Sequence, residues 1–252
     1  MQFAHNPVAY EAEEWSRPDE MALFHILWNH TRRQLDTRPN CRLLDACCGS
    51  GLSLLGSVSH PHLFMAVGVD LSSPLLDFAR RRYEPFGNVV FLRGDAAQQM
   101  FAASSFDLII ACSAYHHIEH VRKIAFLKTC RTLLKDDGCL LVAENVLPPY
   151  IDDGAAYDQA IQRLYAAVKC AALAEYPDLP TALHNMIDEN VILSLRRQYE
   201  FKVDHRRILR DFRDSQFALE CQIKAWPSGE GALDRSAGNF LFILKKSSGE
   251  AP

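Results

Sequence analysis

Apolar runs of four to six residues recur along the first 146 positions, and an acid or a turn closes each one. Cys41–Leu44 runs into Asp45, Phe64–Val69 into Asp70, and Asn88–Leu92 into Arg93-Gly94-Asp95. Phe106–Ala111 leads into Cys112-Ser113-Ala114-Tyr115-His116-His117, and Cys139–Glu144 is a fifth such run. Short continuous apolar runs mark strands covered on both faces, as in parallel sheets. Helical spacing lies between and before them. Phe24, Leu27, Trp28, Thr31 and Leu35 share one side of a helix over 19–35, with Asp19 after Pro18 as its start. Leu52, Leu54, Leu55 and Val58 predict a helix after the first strand, and Leu134–Gly138 predicts a helix end with a turn. Strands alternating with helices imply a parallel sheet with right-handed crossovers.

Pro148-Pro149 ends that pattern. Tyr157, Ile161, Leu164, Tyr165 and Val168 predict a helix over 154–173. Pro177 and Pro180 break it, and 181–198 predicts a second helix. About fifty residues separate the fifth strand from the next core element, and insertions of that length are often functional lids. Asp204 predicts a helix cap, with the helix running through Phe212. Phe217–Ala225 and Asn239–Lys245 predict two strands joined by a Pro/Gly-containing loop.

The chemistry concentrates where the strands end. Asp45-Ala46-Cys47-Cys48-Gly49-Ser50-Gly51 is an acid followed by a tight Gly-x-Gly turn. Glycines let the backbone approach a ligand, and N–H groups at a following helix favour polar or acidic ligand groups. Asp45, Asp70 and Asp95 each close a strand, at the end where open parallel sheets bind ligands. Three acids there suit an ammonium group, a ribose diol and an exocyclic amine.

In these motifs, and over residues 38–146, the chain resembles the class I S-adenosylmethionine (SAM) methyltransferases. Cys47 stands where the family's motif has its first glycine. The resemblance implies an α/β fold: a Rossmann-like, mostly parallel seven-stranded sheet with helices on both faces and a C-terminal antiparallel hairpin. It implies SAM as cofactor, with Asp45 and Gly49 near its methionine part, Asp70 on both ribose hydroxyls, and Asp95 on the adenine amine beside Ala96. Ala46, Cys47, Gly51, Leu71 and Cys112 are further expected cofactor contacts, and Tyr10 and Trp15 are expected to cover SAM from the N-terminal side. Tyr115, His116 and His117 fall on the segment that faces the transferred methyl group in this family. A histidine there suits proton removal from an acceptor, since its reference pKa is near neutrality; His116 is favoured as nearer the strand end. The division expected is one methyltransferase domain over 1–252: a helical cap (1–37), a SAM-binding core (38–146), a helical lid (147–199) and the rest of the core (200–246).

Composition narrows the partners. The net charge of −4, from 27 basic and 31 acidic residues, argues against a dominant nucleic-acid surface. No apolar stretch reaches the roughly 20 residues of a membrane span, and the N-terminus lacks a signal-like pattern. The eight cysteines form no Cys-x-x-Cys pair, so a reduced, cytoplasmic protein without a structural zinc is expected. His116-His117-Ile118-Glu119-His120 matches the inverted zinc-protease pattern, but it leaves a strand instead of lying on a helix, so no metal site is expected from it. Tyr165 and Lys169 match the Tyr-x-x-x-Lys pair of short-chain dehydrogenases without the partner serine or glycine turn. Arg196, Arg197, Lys202, Arg206, Arg207, Arg210 and Arg213 form a basic run whose default is a solvated face. The function expected is methyl transfer to an oxygen, nitrogen or carbon of a small molecule by a monomer or homodimer. The alternatives are an RNA or protein methyltransferase, a carboxy-SAM synthase-like enzyme, and a non-catalytic SAM-binding partner subunit.

Overall fold

The computed structural model describes residues 6–151, 154–178, 181–228 and 233–247. Pro180, invoked as a helix break, and Gly229–Gly231 of the late Pro/Gly loop lie outside the described residues. Five parallel strands form the core: β1 (Cys41–Ala46), β2 (Leu63–Asp70), β3 (Val89–Arg93), β4 (Phe106–Cys112) and β5 (Leu134–Val146). β6 (Phe217–Trp226) and β7 (Gly238–Lys246) complete a seven-stranded sheet of order β3-β2-β1-β4-β5-β7-β6, with β7 antiparallel to both its neighbours. The C-terminal pair closes the sheet as expected. β5 starts earlier than the sequence implies: Leu134–Gly138, expected as a turn, already belongs to the strand, with a register break opposite Phe106/Leu108.

Helices cover both faces, which is why the strands read as unbroken apolar runs. α2 (Pro18–Asp36) and α3 (Ser73–Tyr83) pack Leu23, Leu27, Leu76 and Tyr83 on one face; α4 (Lys123–Leu133) and α7 (His205–Asp214) pack Phe126, Leu127, Ile208 and Phe212 on the other. Asp204 caps α7 by accepting from the Arg207 N–H at 2.9 Å. α5 (Gly154–Glu175) and α6 (Thr181–Leu195) form the inserted layer, with a small cluster around Ile161, Leu164 and Ile187.

One local expectation fails for a physical reason. The helix expected after the glycine turn is a single 3-10 turn, Leu52–Leu54. The Trp28 indole N–H donates to the Leu52 carbonyl at 3.0 Å, and Trp28 packs so close to Gly56 that a Cβ there would lie 2.4 Å from it. An additional helix, α1 (Pro7–Ser16), precedes α2, capped by the Asn6 side chain on the Ala9 N–H. Pro18 keeps Arg17 extended, at φ −101° and ψ 109°, and so separates the two helices. Among the described residues no helix is long and apolar enough to cross a membrane.

Candidate active site

A cavity of about 980 Å³ opens at the carboxyl ends of the parallel strands. One end is walled by the turns after β1, β2 and β3. Cys47 takes φ +65° and Gly49 φ +52°, the left-handed region that glycine occupies without cost. Cys47 thus keeps the backbone that a glycine would have, at a strain of roughly 1–3 kcal/mol. Asp70 joins two of these turns: Oδ2 accepts from the Gly49 N–H at 2.9 Å and Oδ1 from the Ser72 N–H at 2.8 Å. Leu71, Asp95, Ala96 and Cys112 also line the cavity, and Tyr10 of α1 faces Gly49. Asp95 is held by the Arg122 guanidinium and the Ala97 N–H.

Several expected residues stand elsewhere. Asp45 is 1% exposed and lies behind the wall, accepting the Ser53 hydroxyl; burial pushes its carboxyl up to about 7. Ala46 and Gly51 are buried off the wall, and Gly51 faces Tyr83, whose hydroxyl donates to its carbonyl at 2.7 Å. Trp15 packs on Trp28, ring centres 6.3 Å apart, and does not reach the cavity. Tyr115 is fully buried in the core, with its hydroxyl on Asp211 at 2.7 Å. It therefore has no access to a reacting centre. The strand-end turn places the next two side chains, and not this one, at the cavity.

His116 and His117 both line the cavity. The buried Glu144 carboxylate of β5 accepts from His116 Nδ1 at 2.5 Å, from the His116 N–H at 3.1 Å and from the Asn145 N–H at 2.8 Å. With both backbone donors on Glu144, Nδ1 is the protonated ring nitrogen and Nε2 carries the lone pair. Burial, reinforced by Lys202, pushes His116 well below its ordinary pKa, so the ring is neutral. His117 is more exposed and donates Nδ1–H to the Tyr199 carbonyl at 2.8 Å.

The remaining wall escaped the sequence reading. Glu200 and Lys202, both buried, pair at 3.0 Å, and Lys202 also donates to Asn145 Oδ1 at 2.6 Å. Burial opposes the Glu200 charge, but the Lys202 ammonium beside it outweighs burial and holds the carboxyl at about 2. Arg17 meets Glu13, Asp19 and Glu20, while Glu14 Oε2 is buried without a partner. Burial pushes Glu13, Glu14 and Glu20 upward. In sequence these acids look like a solvated helix face; only Glu144-Asn145 carried a signal, as the end of a strand. The basic run does not form one face: Lys202 is buried, Arg197 lines the cavity, and Arg206 and Arg207 pair with Asp204 and Asp211.

The donor set fits SAM. Asp70 offers a carboxylate at the cavity wall for hydroxyl groups. The unpartnered buried Glu14 oxygen, among further carboxylates, suits a ligand that carries a sulfonium and an ammonium.

Residues 43–138 match the family model described as "Methyltransferase domain". The demethylmenaquinone methyltransferase of Staphylococcus saprophyticus is 23% identical over 184 residues, 70% of this chain and 77% of that protein. Among solved structures, the YcgJ protein of Bacillus subtilis superimposes with a TM-score of 0.59 at 17% identity, covering 89% of this chain and all of that one. The methyltransferase CalH, solved in complex with SAH, does so with a TM-score of 0.56 at 19% identity, over 86% of this chain and 54% of that one.

Proposed function

We propose that this chain is a class I S-adenosylmethionine-dependent methyltransferase that methylates an oxygen or nitrogen of a small molecule, with His116 as the base. SAM supplies an electrophilic methyl group on a sulfonium, whose displacement leaves a neutral thioether. Asp70 would hold the ribose hydroxyls, Asp95 the adenine amine, and the carboxylates of α1 and α2 the cationic end. The acceptor's lone pair forms the new bond to the methyl carbon, and its proton passes to His116 Nε2. Glu144 keeps Nδ1 protonated and stabilises the imidazolium that forms. Most of the remaining acceleration comes from alignment of the acceptor with the methyl group.

The observation that carries this reading is the His116 Nε2 lone pair on the cavity wall, fixed by Glu144 at 2.5 Å from Nδ1. A small acceptor is favoured because α6 and the 197–202 segment roof the cavity and because the basic run is broken up by burial and ion pairs. Its division into a cap, a core and a lid around one site belongs to the same proposal. Incubation with labelled SAM and a metabolite extract identifies the acceptor. His116→Gln then lowers the rate at saturating substrate about 10²–10⁴-fold with unchanged SAM affinity. A normal rate in that variant overturns the base assignment.

A further inference from the structure

Two histidines and a carboxylate meet at the acceptor end of the cavity. His116 and His117 lie on the 3-10 turn after β4, and Glu200 lies on the segment that returns from the lid to the core. One ligating atom of each lies within 4.8 Å of the other two. Glu200 Oε1 is 3.9 Å from His116 Nε2.

Hydrogen bonding determines which atoms remain free. His116 Nδ1–H is committed to Glu144 and His117 Nδ1–H to the Tyr199 carbonyl, so both rings keep a lone pair on Nε2. Lys202 Nζ stands 3.0 Å from Glu200 Oε2, which makes no hydrogen bond, and Oε1 lies toward the two histidines. His116 Nε2 and Glu200 Oε1, both on buried residues, face each other at 3.9 Å. A cation satisfies such a pair.

A histidine whose second nitrogen is anchored on a carboxylate or a main-chain carbonyl is set up as a metal ligand. Two imidazoles and one carboxylate suit divalent ions of the zinc, iron and nickel kind. Bonds of about 2.0–2.2 Å at a tetrahedral angle put donor atoms about 3.4 Å apart; the 3.9 Å pair closes to that with a shift of about 0.5 Å.

We propose that His116, His117 and Glu200 form a binding site for a divalent transition-metal ion, with the remaining coordination positions open to the cavity. The site is not the His-x-x-Glu-His pattern of the sequence, because Glu119 is exposed and His120 packs on Phe201 instead of joining the cluster. An ion here takes the lone pair that an acceptor's proton would use, so occupancy and base catalysis exclude each other. The inference concerns binding alone and stands whether or not His116 is the base.

The test is a Co²⁺ titration of the full chain after chelation, read by visible absorption without substrate. One saturable equivalent with a ligand-field band and no thiolate charge-transfer band is expected, and Zn²⁺ displaces it. His117→Ala and Glu200→Gln each weaken binding at least about tenfold, as does Glu144→Gln through the anchor of His116. Glu119→Gln and His120→Ala leave it unchanged. SAM titration of each variant reports that the fold is kept. No saturable band, a thiolate band alone, retained binding in the His117→Ala/Glu200→Gln double variant, or a loss that follows His120 would each overturn the site.

Discussion

The two ends of one cavity are put together differently. At the cofactor end, Gly49 and Asp70 bond across 21 positions of sequence, each on the turn that ends its own strand. At the end proposed for the acceptor and the cationic part of SAM, Asn190 of α6 bonds Glu13 across 177 positions, and Lys202 bonds Asn145 across 57. The first end is a property of neighbouring strand tips and tolerates changes far away. The second exists only after the lid, the N-terminal helices and β5 have met, so its polar groups are buried on all sides and depend on one another.

The largest expected effect follows from that burial. Lys202→Met leaves Glu200 and Asn145 Oδ1 without their cation in a buried setting. Breaking a buried pair by removing one partner costs about 3–5 kcal/mol. Denaturant unfolding reads the loss, and adding Glu200→Gln recovers part of it. A variant as stable as the wild type would show that the acceptor end is as independent as the cofactor end.

This difference also decides what the sequence discloses. Asp70 and the Gly49 turn are legible because strand, turn and ligand group follow one another within a few residues. The parallel sheet is legible because each strand is apolar throughout, and α5 and α6 because Pro148-Pro149 precedes them and Pro177 parts them. Glu13, Glu14 and Glu20 are not legible: an acidic helix face looks the same whether it meets water or a cavity. Lys202 hides in a run of arginines for the same reason. Tyr115 shows the opposite error, since a residue next to two cavity histidines turned into the core, and only the course of the 3-10 turn decides that. Trp15 has the right composition for a ligand cover and is instead used to pack on Trp28.

The next effect belongs to the cofactor end and is read through pH. Burial holds the Asp45 carboxyl at about 7, above its ordinary value. A carboxyl raised on folding contributes stability that is fully present below its unfolded pKa, near 4, and lost as pH rises through 7. Unfolding free energy of the wild type should therefore fall between pH 4 and 7 relative to Asp45→Asn, by at most about 4 kcal/mol. Parallel pH profiles for the two proteins would mean that Asp45 is ionised in the fold.

A smaller change should follow from Asp70→Ala, which tests whether the cofactor end works alone. SAM affinity, measured by calorimetry, should weaken by roughly 1.5–3 kcal/mol for each charge-assisted hydrogen bond lost. The histidine, Glu200 and Lys202 cluster contacts none of the groups that Asp70 holds, so Co²⁺ uptake there should not change. Unchanged SAM affinity sinks the ribose assignment; a simultaneous loss of Co²⁺ uptake would show the two ends to be one unit.

The smallest effect concerns how the lid is fastened. Asn190 Nδ2 donates to Glu13 Oε1 at 2.8 Å and ties α6 to α1 over the cavity mouth. α5 and α6 also pack, through Ile161 and Ile187, in a small cluster with Leu147, Leu233 and Ala237. Losing one such bond costs about 1 kcal/mol, which corresponds to about a fivefold increase in local opening. Asn190→Ala should therefore raise amide exchange and protease cleavage within 154–195, while β1–β5 keep wild-type protection. Bound SAM together with an acceptor should restore most of the protection, since both fill the space beneath the lid. Exchange that rises equally in the lid and the sheet would mean that the lid has no opening of its own, and the acceptor end would then be as rigid a part of the core as the strand tips opposite.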